Sequence, residues 1–162
     1  MKLRHLFFAC SGVFVMMFSL LLLVVIVFSD EEDGGSGGNL IYGGVSVSQE
    51  VLAHKPMLEK YAREYGIEEY LNVLLAIIQV ESGGTLEDVM QSSESLGLPP
   101  NSLSTEESIK QGCKYFSELL AAAETKGCDL NSVIQSYNYG GGFLDYVAGR
   151  GKKYTFKLAE SF

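Results

Sequence analysis

From Ser48 onward, apolar and polar positions recur at helical spacing. Ser48 precedes Gln49-Glu50 and a run carrying Val51, Leu52, Met57, Leu58, Tyr61 and Ala62, so it is placed to cap a helix that reaches Tyr65. Pro56 lies inside that run and should kink or divide it; Gly66 ends it. The stretch Glu69 to Ser82 (EYLNVLLAIIQVES) is apolar nearly all round, which predicts a helix buried in the core and stopped by Gly83-Gly84. Thr85 to Asn101 has no clean period and contains Pro99-Pro100, so it reads as an irregular loop. Ser104 and Glu107 form a capping box for a helix running to about Lys126, with Gly127 as its stop. Asp129 caps another helix through Ser136 or Tyr137, and Gly140-Gly141-Gly142 breaks it. Phe143 to Ala148 is a short helical piece, and Thr155 to Phe162 begins one more. No run of alternating strands is visible. The fold class is therefore mainly α.

The first part of the chain follows a different pattern. Leu6 to Phe28 carries no charge and follows Lys2, Arg4 and His5. A bilayer span needs roughly 20 apolar residues, so the stretch is long enough to cross. It is long for a signal-peptide core and lacks a small-residue cleavage site, which favours an anchor over a cleaved signal. Asp30, Glu31, Glu32 and Asp33 follow it, and the asymmetry of Lys and Arg places the remainder outside the cell. Residues 1–29 thus read as a cytoplasmic tip and transmembrane anchor, 30–47 as an acidic, Gly/Ser-rich linker, and 48–162 as one domain. The helical pattern is still running at Phe162, so a C-terminal continuation is expected.

Charge and cysteines narrow the chemistry. All 20 acidic residues but only 10 of the 12 basic ones lie beyond the anchor, making the exterior part net −10. That excludes a nucleic-acid partner, which needs a basic footprint. Cys113 and Cys128 fall near the middle and just past the end of one predicted helix, roughly 20 Å apart, too far to bridge. His5 and His54 are isolated, so no metal site and no cofactor are expected.

One residue stands out on chemistry alone. On a helix, Leu74, Ile77 and Ile78 share a face with Glu81, and that face looks into the core. Glu81 also sits in the last turn, where the helix end is partly negative. Both surroundings disfavour a carboxylate and suit a general acid near neutral pH. A Glu reaching solvent at a frayed helix end is the competing reading.

The surrounding strings weigh on that choice. Val80-Glu81-Ser82-Gly83-Gly84, Met90-Gln91 and Ser136-Tyr137-Asn138-Tyr139-Gly140 resemble, in order, the Glu-Ser, Met-Gln and Tyr-Asn-x-Gly motifs of the goose-type lysozyme and lytic transglycosylase superfamily. The longer strings LLAIIQVESGG, DVMQSSES and SYNYGGGF are similar to the N-terminal muramidase domain of CwlT-type hydrolases, two-domain wall enzymes of Gram-positive conjugative elements. The resemblance covers about Val47 to Phe162. It implies a lysozyme-like helical fold and cleavage of the β-1,4 bond between N-acetylmuramic acid and N-acetylglucosamine in peptidoglycan. It further implies a downstream NlpC/P60 domain and a place beside conjugative secretion machinery. It makes Glu81 the general acid and Asp88 the second catalytic carboxylate, with Glu87 and Glu94 as rivals. Gln91, Ser92, Tyr137 and Asn138 would line the sugar cleft; Tyr70, Tyr115 and Tyr139 read as packing aromatics. Two alternatives stay open: a lytic transglycosylase giving 1,6-anhydro products, and a non-catalytic glycan-binding or secretion-machine scaffold.

Overall fold

The computed structural model of the protein describes residues 40–42 and 45–162. The anchor expected over residues 1–29 lies outside the described residues, as does most of the linker. Among the described residues, no helix is long and apolar enough to cross a membrane.

The hydrophobic pattern did not predict the hairpin that precedes the helices. Strands β1 (Leu40–Tyr42) and β2 (Val45–Val47) pair antiparallel, with Leu40 opposite Val47. They fall within the stretch read as linker, and Val47 is fully buried. The packed region therefore starts before Ser48. A three-residue strand is too short to show alternation, which is why the pattern missed it.

Seven helices follow among the described residues. Helices α1 (Gln49–Ala53) and α2 (Lys55–Glu64) occupy the run predicted from Ser48 to Tyr65. The break comes at His54, because Pro56 sits at the first turn of α2, where its missing N–H costs nothing. Ser48 caps α1 by accepting from the Val51 N–H at 3.3 Å. A short 3-10 turn, Glu68–Tyr70, leads into α3 (Leu71–Glu81). Helix α4 (Thr105–Lys126) opens on the expected capping box, with the Glu107 carboxylate accepting from the Ser104 N–H at 3.0 Å, and closes on Gly127 at φ +71°. Asp129 caps α5 (Leu130–Tyr139), which runs further than Tyr137. Helices α6 (Gly142–Ala148) and α7 (Phe156–Glu160) complete the order.

Helix α3 is the spine of the core. Leu74, Leu75 and Ile78 are fully buried, and Ala76 and Ile77 nearly so. It packs against β2, α1 and α2, while the long α4 carries α2 on one side and α5 and α6 on the other. Each fully buried Leu or Ile contributes roughly 1.5–3 kcal/mol. With three such residues and their neighbours held on several faces, α3 has no freedom to roll, and the direction of its last side chain is fixed by the core. Cys113, fully buried on α4, and Cys128 are both free thiols.

Candidate active site

Glu81 is the last residue of α3, one turn beyond Ile77 and Ile78. The residue is half-buried, and its carboxylate makes no hydrogen bond or ion pair among the described residues. Burial is the main cause that raises its pKa from 4.5 to about 7; the charges of Glu94 and then Asp88 add to it. Glu81 is thus divided between acid and carboxylate near neutral pH. No partner offsets the cost of ionising it.

The turn after Glu81 is clamped at several points. The Ser82 hydroxyl donates to the Val89 carbonyl at 2.7 Å and accepts from the Gly84 N–H at 3.0 Å, joining the end of α3 to the loop that follows. From the other side, the Ser48 N–H donates to Gln79 Oε1 at 2.7 Å, and His54 Nε2–H donates to the Gly84 carbonyl at 2.9 Å. Gly83 and Gly84 hold φ of +61° and +78°, and a Cβ on Gly84 would lie 2.7 Å from the backbone of Glu50 and Val51. Only glycine fits there. The Gly-Gly pair that follows Glu81-Ser82 is therefore a backbone requirement.

The loop read as irregular is ordered around Asp88. That residue is fully buried. Its Oδ1 accepts from the Ser92 N–H at 3.0 Å and from the Ser108 hydroxyl at 2.6 Å, and its Oδ2 from the Ser93 N–H at 3.2 Å. These bonds hold the start of a 3-10 turn, Ser92–Leu96, against α4. The expectation that Asp88 is a carboxylate folded back across a cleft meets a different geometry: its oxygens accept three bonds inside the protein.

Met90 and Gln91 follow. Met90 is fully buried against Gly112, where a Cβ would meet its Sδ at 2.5 Å. Its carbonyl accepts from the Tyr137 hydroxyl at 3.1 Å. Gln91 adopts φ +47°, a left-handed conformation of some cost for a side-chain-bearing residue. It is held there by bonds from its Nε2 to the Asp88 carbonyl at 2.8 Å and to Asn101 Oδ1 at 2.7 Å.

A cleft of about 240 Å³ opens between this loop and the end of α5. Gln91, Tyr137 and Asn138, the residues that the resemblance assigned to the sugar cleft, line it. Ser92 reaches it only at its edge: the residue is 2% exposed, and its hydroxyl donates inward to the Ser108 carbonyl at 2.9 Å, so it offers little to a ligand. Tyr115 and Tyr139, read as packing aromatics, are on the cleft wall, and so is Glu94. Tyr115 comes from the middle of α4, and no local signal marks it; its ring lies 5.5 Å from that of Tyr137 across the helix pair. Glu81 is not itself on that wall, but the charge of Glu81 is felt by Tyr137, and that of Glu94 by Glu81. Burial, with the Glu81 charge next, holds the Tyr137 phenol far above its ordinary range, so it stays a donor to Met90. A larger hollow of about 510 Å³, bordered by Tyr65, Tyr70 and Cys128, contains none of the motif residues. Among the described residues, no group of His, Cys, Asp and Glu is arranged to hold a metal ion.

A half-buried acid ends a core helix near an aromatic cleft in this mainly helical domain, and the chain belongs to the lysozyme-like family, whose profile matches residues 48–162. Among its relatives is the bifunctional muramidase/DL-endopeptidase CwlT of Bacillus subtilis, 45% identical over 122 residues, which are 75% of this chain and 36% of CwlT. The uncharacterized membrane protein YocA of the same organism is 38% identical over 117 residues, covering 72% of this chain and 52% of YocA. A crystal structure of a protein described as similar to a lipoprotein of the NLP/P60 family, from Staphylococcus aureus Mu50, superposes with a TM-score of 0.71 at 76% identity. That match covers 72% of this chain and 39% of the other. The chain thus spans between about a third and a half of the length of these relatives.

Proposed function

We propose that the domain is an N-acetylmuramidase that cleaves the β-1,4 bond between N-acetylmuramic acid and N-acetylglucosamine in peptidoglycan. The observation that carries this reading is the unpartnered carboxyl of Glu81, raised to about 7 by burial beside a cleft walled by Gln91, Tyr137 and Asn138. A glycosidic oxygen is a poor leaving group until it is protonated, and an acid with a pKa near ambient pH is suited to supply that proton. The muramidase activity in the name of CwlT is consistent with it. In this reading the tyrosines stack on sugar rings, Asn138 and Gln91 orient the polar groups, and Asp88 acts through the loop that it holds.

The positive-inside pattern of the first 33 residues supports a single-pass anchor with this domain outside the cell. Resemblance alone supports local opening of the wall during conjugative transfer, in contact with the secretion machinery.

Enclosure of Asp88 favours a second reading, a lytic transglycosylase, in which the 6-hydroxyl of the muramic acid attacks and Glu81 serves alone as acid and then base. Mass spectrometry of peptidoglycan digested by the protein separates the two. Hydrated reducing muramic acid ends are expected; 1,6-anhydro ends, lighter by one water, would establish the transglycosylase. Absence of both from a folded, wall-bound protein would leave a scaffold.

A further inference from the structure

The muramidase reading leaves one chemical place open: the group that takes a proton from the attacking water. Asp88 is fully buried with three donors on its oxygens. Glu87 is exposed but is not on the cleft wall. Glu94 differs from both. It lies in the 3-10 turn Ser92–Leu96, is exposed, and lines the cleft with Gln91, Tyr137 and Asn138. Its carboxylate makes no hydrogen bond or ion pair among the described residues, so both oxygens are open to water. The turn that carries it is fixed, because Ser92 and Ser93 are tied to Asp88.

We propose that Glu94 is the general base of the hydrolysis, and that Asp88 is the positioning residue that holds it in the cleft. The inference rests on the muramidase reading. Glu81 gives its proton to the glycosidic oxygen as the bond from that oxygen to C1 of the muramic acid breaks. The oxygen of a water forms the new bond to C1, and one of its protons passes to Glu94. One water is consumed per bond, and the two carboxyl groups return to their starting states by exchange with solvent. The arrangement has electrostatic support: among the charges acting on Glu81, that of Glu94 has the largest effect, ahead of Asp88. Glu81, half-buried at the end of α3, takes the part of the acid, and Glu94, exposed on the cleft wall, that of the base.

The test uses the full-length protein in detergent with soluble peptidoglycan fragments as substrate. Glu94→Gln, Glu94→Asp and Asp88→Asn are compared with the wild type for kcat, KM, pH profile and product mass. Glu94→Gln breaks no bond in the fold. The expected results are a fall of at least a hundredfold in kcat with KM changed less than threefold, and loss of the acidic limb of the pH–rate profile. Glu94→Asp should restore part of the rate. Asp88→Asn should raise KM and lower kcat together while keeping the acidic limb. Wild-type hydrolysis with hydrated ends but unchanged kcat in Glu94→Gln overturns the role of Glu94 and leaves the muramidase standing. So does an acidic limb that disappears with Asp88→Asn instead. Anhydro ends, or no cleavage, from the wild type overturn the muramidase reading and this inference with it.

Discussion

Glu81 carries a cost that the fold has accepted. Below pH 4.5, folded and unfolded chains both hold its proton. Between 4.5 and about 7, only the folded chain does, so the stability from this group falls as pH rises through that window. Above 7 the deficit is constant, at roughly 3 kcal/mol. Glu81→Gln should therefore raise the midpoint of urea unfolding at pH 8 and change it little at pH 4; a variant that is less stable at pH 8 would show that the carboxylate is stabilised in the folded state. As the proposed general acid, the same group would set the alkaline side of activity, and kcat/KM should decline as pH rises past about 7. Helical spacing marked Glu81 but left a frayed, solvent-reaching end as its rival; the Glu-Ser motif around it decided for the buried acid. The burial of Asp88 was not legible. Its partners Ser92 and Ser93 are near in sequence, but Ser108 lies 20 residues on, on another helix. A loop acid and an interior anchor look the same until that helix is in place.

At the scale of elements, the site is a joint between α3, the loop after it, and α1. Gly84 is where they touch, so Gly84→Ala forces both a φ of +78° on alanine and a contact of 2.7 Å with the Glu50 and Val51 backbone. A loss of about 2–3 kcal/mol is expected in chemical denaturation. A loss below about 0.5 kcal/mol would mean that α1 is not held as described. Helix boundaries were legible to within a few residues, because Ser104 with Glu107, Gly127, Asp129 and Pro56 are local signals with local causes. The β1–β2 hairpin and the aromatic wall were not. Tyr115 and Tyr139 reach the cleft only because α4 and α5 pack side by side, a long-range contact that no periodicity reveals.

Over the whole molecule, charge works against the proposed substrate. From Ser48 on, the chain carries 16 acidic and 10 basic residues, and wall polymers of Gram-positive cells are also anionic. Repulsion of that kind reaches about 30 Å at 0.01 M salt and about 8 Å at 0.15 M. The rate on insoluble walls should rise severalfold over that range, then level off; a steady fall with salt would point to a basic docking face. The proposed anchor would relieve the problem by holding the domain at the wall, which would join the acidic composition to the apolar first 29 residues in one arrangement.

The central claim is that Glu81 protonates the bond that breaks. It is tested most directly by release of reducing ends from purified peptidoglycan by the wild type and by Glu81→Gln, at pH 6 and at equal wall-bound protein. The account predicts a loss of about a thousandfold or more in a variant that is folded and binds the wall normally. A Glu81→Gln protein that cleaves at a rate within tenfold of the wild type would contradict it.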